Sequence, residues 1–380
     1  MRPFLTDRFA DPGSAHHLGL EAREAVEMAR AQVAALINAE SPGCIVFTSS
    51  GTEAANLAFK GLAFGRQSRG RHIVLTQIEH PAVMESAIFL EKLGFTCTRL
   101  AVNAEGRFDP AELAAAITPQ TILIATHLAN HDLGTLQPAA QAARIAEDRG
   151  IPLFVDAEAA VGWMPVDVQA LGADLVSFSP HRFYGPRGVG ALYCRRGVRP
   201  ESLIHGGLQE DGRRAGPLDV AAIAGFGVAA EIARRELPER QAHTRKLQEL
   251  LWAGVSQSVP HLRLNGPLPG PNRLPTQLNL AAEFTEGEGI LLMLDMQGVQ
   301  VASGAACLGR SSKIPPVLKA IGVPPELAVA NILVSLGMGN TEEEIHRFIE
   351  VYSRAVAKLR ALSPSWEEFQ AGRLASVLPG

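Results

Sequence analysis

Cysteine is scarce in this 380-residue chain: Cys44, Cys97, Cys194 and Cys307, with no C-x-x-C pair. That excludes a disulfide framework and a zinc ribbon. Lysine is scarce too, with residues at 60, 92, 246, 313, 319 and 358 against a combined Lys and Arg total of 35. No charge of one sign dominates. The net charge of -4 offers no general attraction for nucleic acid or an acidic membrane surface. No apolar run approaches the roughly 20 residues of a membrane span. The opening MRPFLTDRFADPG lacks the apolar core of a secretion signal, so a cytoplasmic protein is expected.

What is present describes a folded globular protein. Hydrophobic residues make up 47%, with 36 Gly and 25 Pro, and a chain of this length commonly divides into two domains. Short β-branched runs, CIVFT, HIVLT, TCTRLAV, TILIATH, PLFVDA, DLVSFS and VGALYC, alternate with helical patterns over 53–64, 81–93, 110–117 and 138–149. This alternation predicts a mostly parallel seven-stranded sheet covered on both faces. VGALYC follows its predecessor without a helix and is expected to be antiparallel. Domain expectations are a large α/β domain over 15–218, connecting helices over 219–260 (two stretches, 219–236 and 240–259), and a smaller α+β domain over 261–380. The last has strands near 262–264, 276–280, 299–302 and 332–335, and helices near 286–296 and 342–362.

Ligands of open parallel sheets bind at the carboxyl ends of the strands. There the chain carries Ser49-Ser50-Gly51-Thr52, then Glu79-His80-Pro81, Asn130-His131-Asp132, Asp156, and Ser179 with His181. The first of these reads either as a phosphate cradle at a helix N-terminus or as a plain N-cap with Thr52. His80 reads either as a site residue or as a structural histidine. Asp156 ends an apolar strand and calls for a cationic partner. Three cysteines lie in apolar strand runs. Cys307 lies instead in the Gly-rich SGAACLGRSS, where a thiol would be expected to be exposed. A metal site from His80, His131, His181 and Asp156 has no recognised ligand spacing.

The segments FTSSGTEAANLAFKG, IEHPAV, LANHDLGTLQP, VDAEAAVG, SFSPHRFYGPRGVGALYCRR, HGGLQEDGRRAG, SGAACLGRSS and VSLGMGNTEEEI occur in order along the chain. In this it resembles cysteine desulfurases of the NifS/IscS type, pyridoxal-phosphate (PLP) enzymes of aminotransferase class V and fold type I. The likeness has no counterpart for the family's opening strand before Phe9. It implies that Asp156 pairs with the cofactor's pyridinium and that His80 stacks on its ring. Thr52, Ser179 and His181 would hold its phosphate, and Cys307 would carry a persulfide.

The departures from the family pattern set the expectations. The Schiff-base lysine position is Arg182, whose guanidinium stays protonated and forms no imine. The ring-contacting glutamine is Ala159, the loop asparagine is His131, the partner-reaching threonine is Pro217, and the carboxylate-gripping arginine is Leu333. The expected protein is a desulfurase-like pseudoenzyme in sulfur transfer or iron–sulfur assembly. It would carry no covalent PLP and pair as a homodimer, or as a heterodimer with a paralogue, with sulfur-acceptor or scaffold partners. The alternatives are an active desulfurase with non-covalent PLP and a persulfide relay through Cys307. Arg182 is expected to enter the pocket and either pair with Asp156 or hold an anion near Ser179 and His181.

Overall fold

The computed structural model describes residues 1–303 and 314–378. All seven apolar runs form strands of one sheet: β1 (Ile45–Thr48), β2 (His72–Thr76), β3 (Thr96–Leu100), β4 (Thr121–His127), β5 (Leu153–Asp156), β6 (Leu175–Phe178) and β7 (Gly190–Cys194). Their order is β1-β7-β6-β5-β4-β2-β3. The strands from β6 to β3 pair in parallel, whereas β7 runs antiparallel to both its neighbours. This is the expected fold type I sheet with its single reversed strand. Every residue of β4 and β5 is buried, as in a sheet covered on both faces. β3 is an edge strand, and its Cys97 is only half-buried.

The sheet belongs to the first of two compact units, Met1–Ala101, Phe108–Ala129 and Gln137–Pro238. Its helices are α1 (Arg2–Leu5), α2 (His17–Leu36), α3 (Gly51–Arg66), α4 (Pro81–Lys92), α5 (Pro110–Ala116), α6 (Ala139–Asp148) and α7 (Val168–Leu171), followed by the start of α8 (Val220–Ser258). Helix α3 sends Ala54, Leu57, Ala58 and Leu62 into a core with Ile73, Leu75, Leu123, Phe154, Leu175 and Leu192. Gly61 is required on this face because a Cβ would meet the backbone oxygen of Glu201 at 2.6 Å. One connection differs from expectation. The stretches at 219–236 and 240–259 are a single helix that runs through Pro238, after which the first unit ends.

The second unit comprises Val102–Arg107, Asn130–Leu136 and Glu239–Gly380. Its sheet, β8 (Leu262–Asn265), β9 (Gln277–Ala282) and β10 (Asn331–Ser335), has β9 central and is antiparallel. The helices are the rest of α8, then α9 (Gly287–Asp295), α10 (Pro316–Ala320), α11 (Pro325–Ala328), α12 (Glu342–Ala361) and α13 (Pro364–Gln370). Leu247, Leu251, Leu280, Ile332, Phe348 and Tyr352 fill its core. A reciprocal cap between Thr341 and Glu344 starts α12. The strand expected near 299–302 is only an isolated bridge from Ala302 to Leu333. Among the described residues, no helix is long and apolar enough to cross a membrane.

Candidate functional site

At the carboxyl edge of the large sheet, a cavity of about 140 Å3 is lined by Ser50, Gly51, Thr52, His80, Asp156, Glu158, His181 and Arg182, with Ala55 and Ala82. These residues come from four places in the first unit. Ser50 ends the turn after β1 and caps α3, its hydroxyl accepting from the Glu53 amide at 3.1 Å. The cap is therefore Ser50, not Thr52, and Gly51 is the first helical residue. His80 follows β2 and caps α4, its Nδ1 accepting from the Ala82 amide at 3.1 Å. Asp156 ends β5. The 3-10 turn Pro180–Phe183 follows β6 and carries His181 and Arg182.

Behind the cavity lies a buried polar chain. The Gln137 amide nitrogen can only donate, so His127 Nε2, 3.1 Å away, is an acceptor. His127 Nδ1 therefore carries the proton and donates to Glu79 Oε1 at 3.0 Å, which also accepts from the Thr76 hydroxyl at 2.5 Å. His127 is the register partner of Asp156 across β4 and β5. Burial pushes the Asp156 carboxyl above its ordinary range and Glu79 adds to this, while the His80 charge and the Glu158 amide work against it.

Glu158, two residues beyond Asp156, was not singled out by the sequence reading. Its Oε1 accepts a very short hydrogen bond from the Ser179 hydroxyl, and its own amide donates to Asp156 Oδ1 at 2.9 Å. Its Oε2 is buried without a hydrogen-bond partner. Burial, then the neighbouring Asp156 charge, push the Glu158 carboxyl up to about 7, against the pull of Ser179 and Arg182. His181 Nδ1 is 2.7 Å from the Ser179 hydroxyl. Burial and the Arg182 and Arg187 charges lower the His181 pKa, favouring the neutral ring. Two proton arrangements satisfy the chain. With Glu158 ionised, His181 donates to Ser179 and Ser179 to Glu158; with Glu158 protonated, both bonds reverse.

Arg182 does not form the pair expected with Asp156. Its Nε lies 3.9 Å from Glu158 Oε1, while its backbone carbonyl accepts from the Trp163 indole at 2.7 Å. The Arg182 side chain is 43% exposed, so this ion pair is loose. The anion near Ser179 and His181 is the protein's own carboxylate.

Ala159 follows Glu158 on the same turn. Pro217 borders a different cavity, with Arg23, Glu27, Arg30 and Glu210. His131 and Leu333 belong to the second unit. His131 Nε2 lies 3.8 Å from the Asp132 carboxylate, and Leu333 bonds through its backbone to Ala302. Cys307 lies outside the described residues. Among the described residues no His, Cys, Asp and Glu cluster could hold a metal, and no lysine lines the cavity.

Residues 1–348 match the aminotransferase class-V family model. The chain belongs to that family, a family of PLP enzymes, and within it is a relative of the NifS/IscS cysteine desulfurases. It is 44% identical over 370 residues to cysteine desulfurase IscS of Dictyoglomus turgidum, spanning 97% of this chain and 93% of that one. Against IscS of Clostridium botulinum it is 40% identical over 369 residues, again 97% and 93%. Among solved structures, a NifS-like protein superposes with a TM-score of 0.87 at 34% identity over 94% of each chain. The structure of SspA in complex with cysteine gives 0.77 at 32%, over 88% of this chain and 93% of that one.

Proposed function

We propose that this protein acts in sulfur transfer or iron–sulfur assembly as a desulfurase-like binding partner whose pocket has lost lysine-based PLP chemistry. One observation carries the reading: the turn after β6 presents Arg182 to the cavity, and no lysine lines it among the described residues. The family's cofactor needs an amine that can lose its proton and form an imine, and a guanidinium does neither at ordinary pH. Asp156 fits a pyridinium, being a buried carboxyl at a strand end. The phosphate end fits poorly, because the Glu158 carboxylate stands among Ser179, His181 and the start of α3. The residues present therefore do not fit the cofactor as a whole, and no reaction step is assigned to it. We place the protein in the cytoplasm as a homodimer, or as a heterodimer with a paralogue, on the strength of its kinship.

Kinship also favours a second reading. Both relatives described above carry the name cysteine desulfurase at 40% identity or better. On that reading the chain is an active L-cysteine desulfurase with non-covalent PLP, or relays a persulfide through Cys307. Sulfide release from L-cysteine, with and without added PLP, separates the two. The proposed function predicts no more sulfide than a heat-treated control. Release that disappears in Cys307→Ser would establish the second reading instead.

A further inference from the structure

Several groups suited to an anion converge on the Glu158 carboxylate. The Ser179 hydroxyl donates to Oε1, with His181 Nδ1 at 3.7 Å and Arg182 Nε at 3.9 Å from the same oxygen. On the opposite side Oε2 faces Gly51, the first residue of the 16-residue helix α3, so closely that a Cβ there would run into it. That oxygen is buried and has no hydrogen-bond partner, so the carboxylate is aimed at the helix start without being fully satisfied by it. A helix N-terminus, a hydroxyl, an imidazole and a guanidinium around one cavity form a receptor for a small oxyanion.

We propose that Glu158 is the built-in occupant of an oxyanion site, and that a phosphate group enters this site only when the Glu158 carboxylate is removed or displaced. The physical reason is competition. A carboxylate and a phosphate within a few ångströms, with little water between them, repel strongly and require the same donors. The glycine at position 51 fits this use, since any larger residue there would displace the carboxylate. This inference goes beyond the proposed loss of lysine chemistry, because it concerns whether a phosphate is held at all.

The test is calorimetric titration of inorganic phosphate, PLP and pyridoxal into the full chain and its Glu158→Gln and Glu158→Ala variants, with melting curves to verify folding. Inorganic phosphate reports the bare oxyanion, PLP a phosphate ester, and pyridoxal the same ring without phosphate. Phosphate and PLP should bind at least about tenfold more tightly to Glu158→Ala, and the gain should fall away in Glu158→Ala with Arg182→Ala. Glu158→Gln, which keeps the bulk and removes the charge, should show part of the gain, and pyridoxal should show none. Equal phosphate affinity in the native chain and both variants, or an equal gain for pyridoxal, overturns the proposal. The readout is binding alone, so it stands or falls independently of sulfide release.

Discussion

Glu158 explains why this pocket differs from what its motifs announce. A carboxyl held at about 7 is destabilised when ionised, and in the fold it binds a proton that the unfolded chain has already lost. Between the ordinary carboxylate range and pH 7 the native state holds more protons, so this residue's contribution to stability falls as pH rises across that window. Asp156, Ser179, His181 and Arg182 face it. Gln at position 158 is neutral throughout. Glu158→Gln should therefore unfold at higher denaturant than the native chain at pH 8, by about 1–3 kcal/mol, and the gap should close near pH 4.5. A gap that is constant with pH would contradict the raised pKa. Asp156, His80, Ser179, His181 and Arg182 were legible in the sequence, because polar residues just after buried strands gather at one sheet edge. Glu158 was not. Its role depends on the turn folding the side chain back toward Gly51, a proximity no local pattern encodes.

At the scale of elements, the seven strands of the large sheet were read correctly because their apolar runs are short, β-branched and punctuated. Helix continuity through Pro238 was missed, since the proline reads locally as a breaker. The expected strand at 299–302 failed because only Ala302 finds a partner. A long-range tie was equally invisible. Glu210, with a fully buried side chain, receives two hydrogen bonds from Arg30 of α2 at 2.7 and 2.8 Å and one from the Phe47 amide of β1 at 2.8 Å. It holds φ at 53°, a left-handed conformation that costs energy for a residue with a side chain. The pair thus fixes α2 and β1 to the segment after β7. Glu210→Ala should lower unfolding free energy by about 3–5 kcal/mol, because Arg30 is left charged and buried. A loss below about 1 kcal/mol in denaturant unfolding would show that water reaches Arg30 and that the tie is weak.

For the whole molecule, alternating strands and helices predicted a mostly parallel sheet and the motif resemblance implied a class-V aminotransferase fold; the sheet order and relatives agree with both. On the proposed function, what the chain does with that fold depends on two side chains in one small cavity, Arg182 where an amine would be needed and Glu158 where a phosphate would compete. Kinship argues for desulfuration, and the cavity argues against the chemistry on which it relies. The most direct test is to mix the purified protein with PLP, remove free cofactor by dialysis and record the visible spectrum, then reduce with borohydride and map the pyridoxyl-labelled peptides. The account predicts that no cofactor absorbance is retained and that no pyridoxyl label is found on any lysine. A retained absorbance with a single labelled lysine would show that the chain supplies the missing amine from elsewhere and would contradict the central claim.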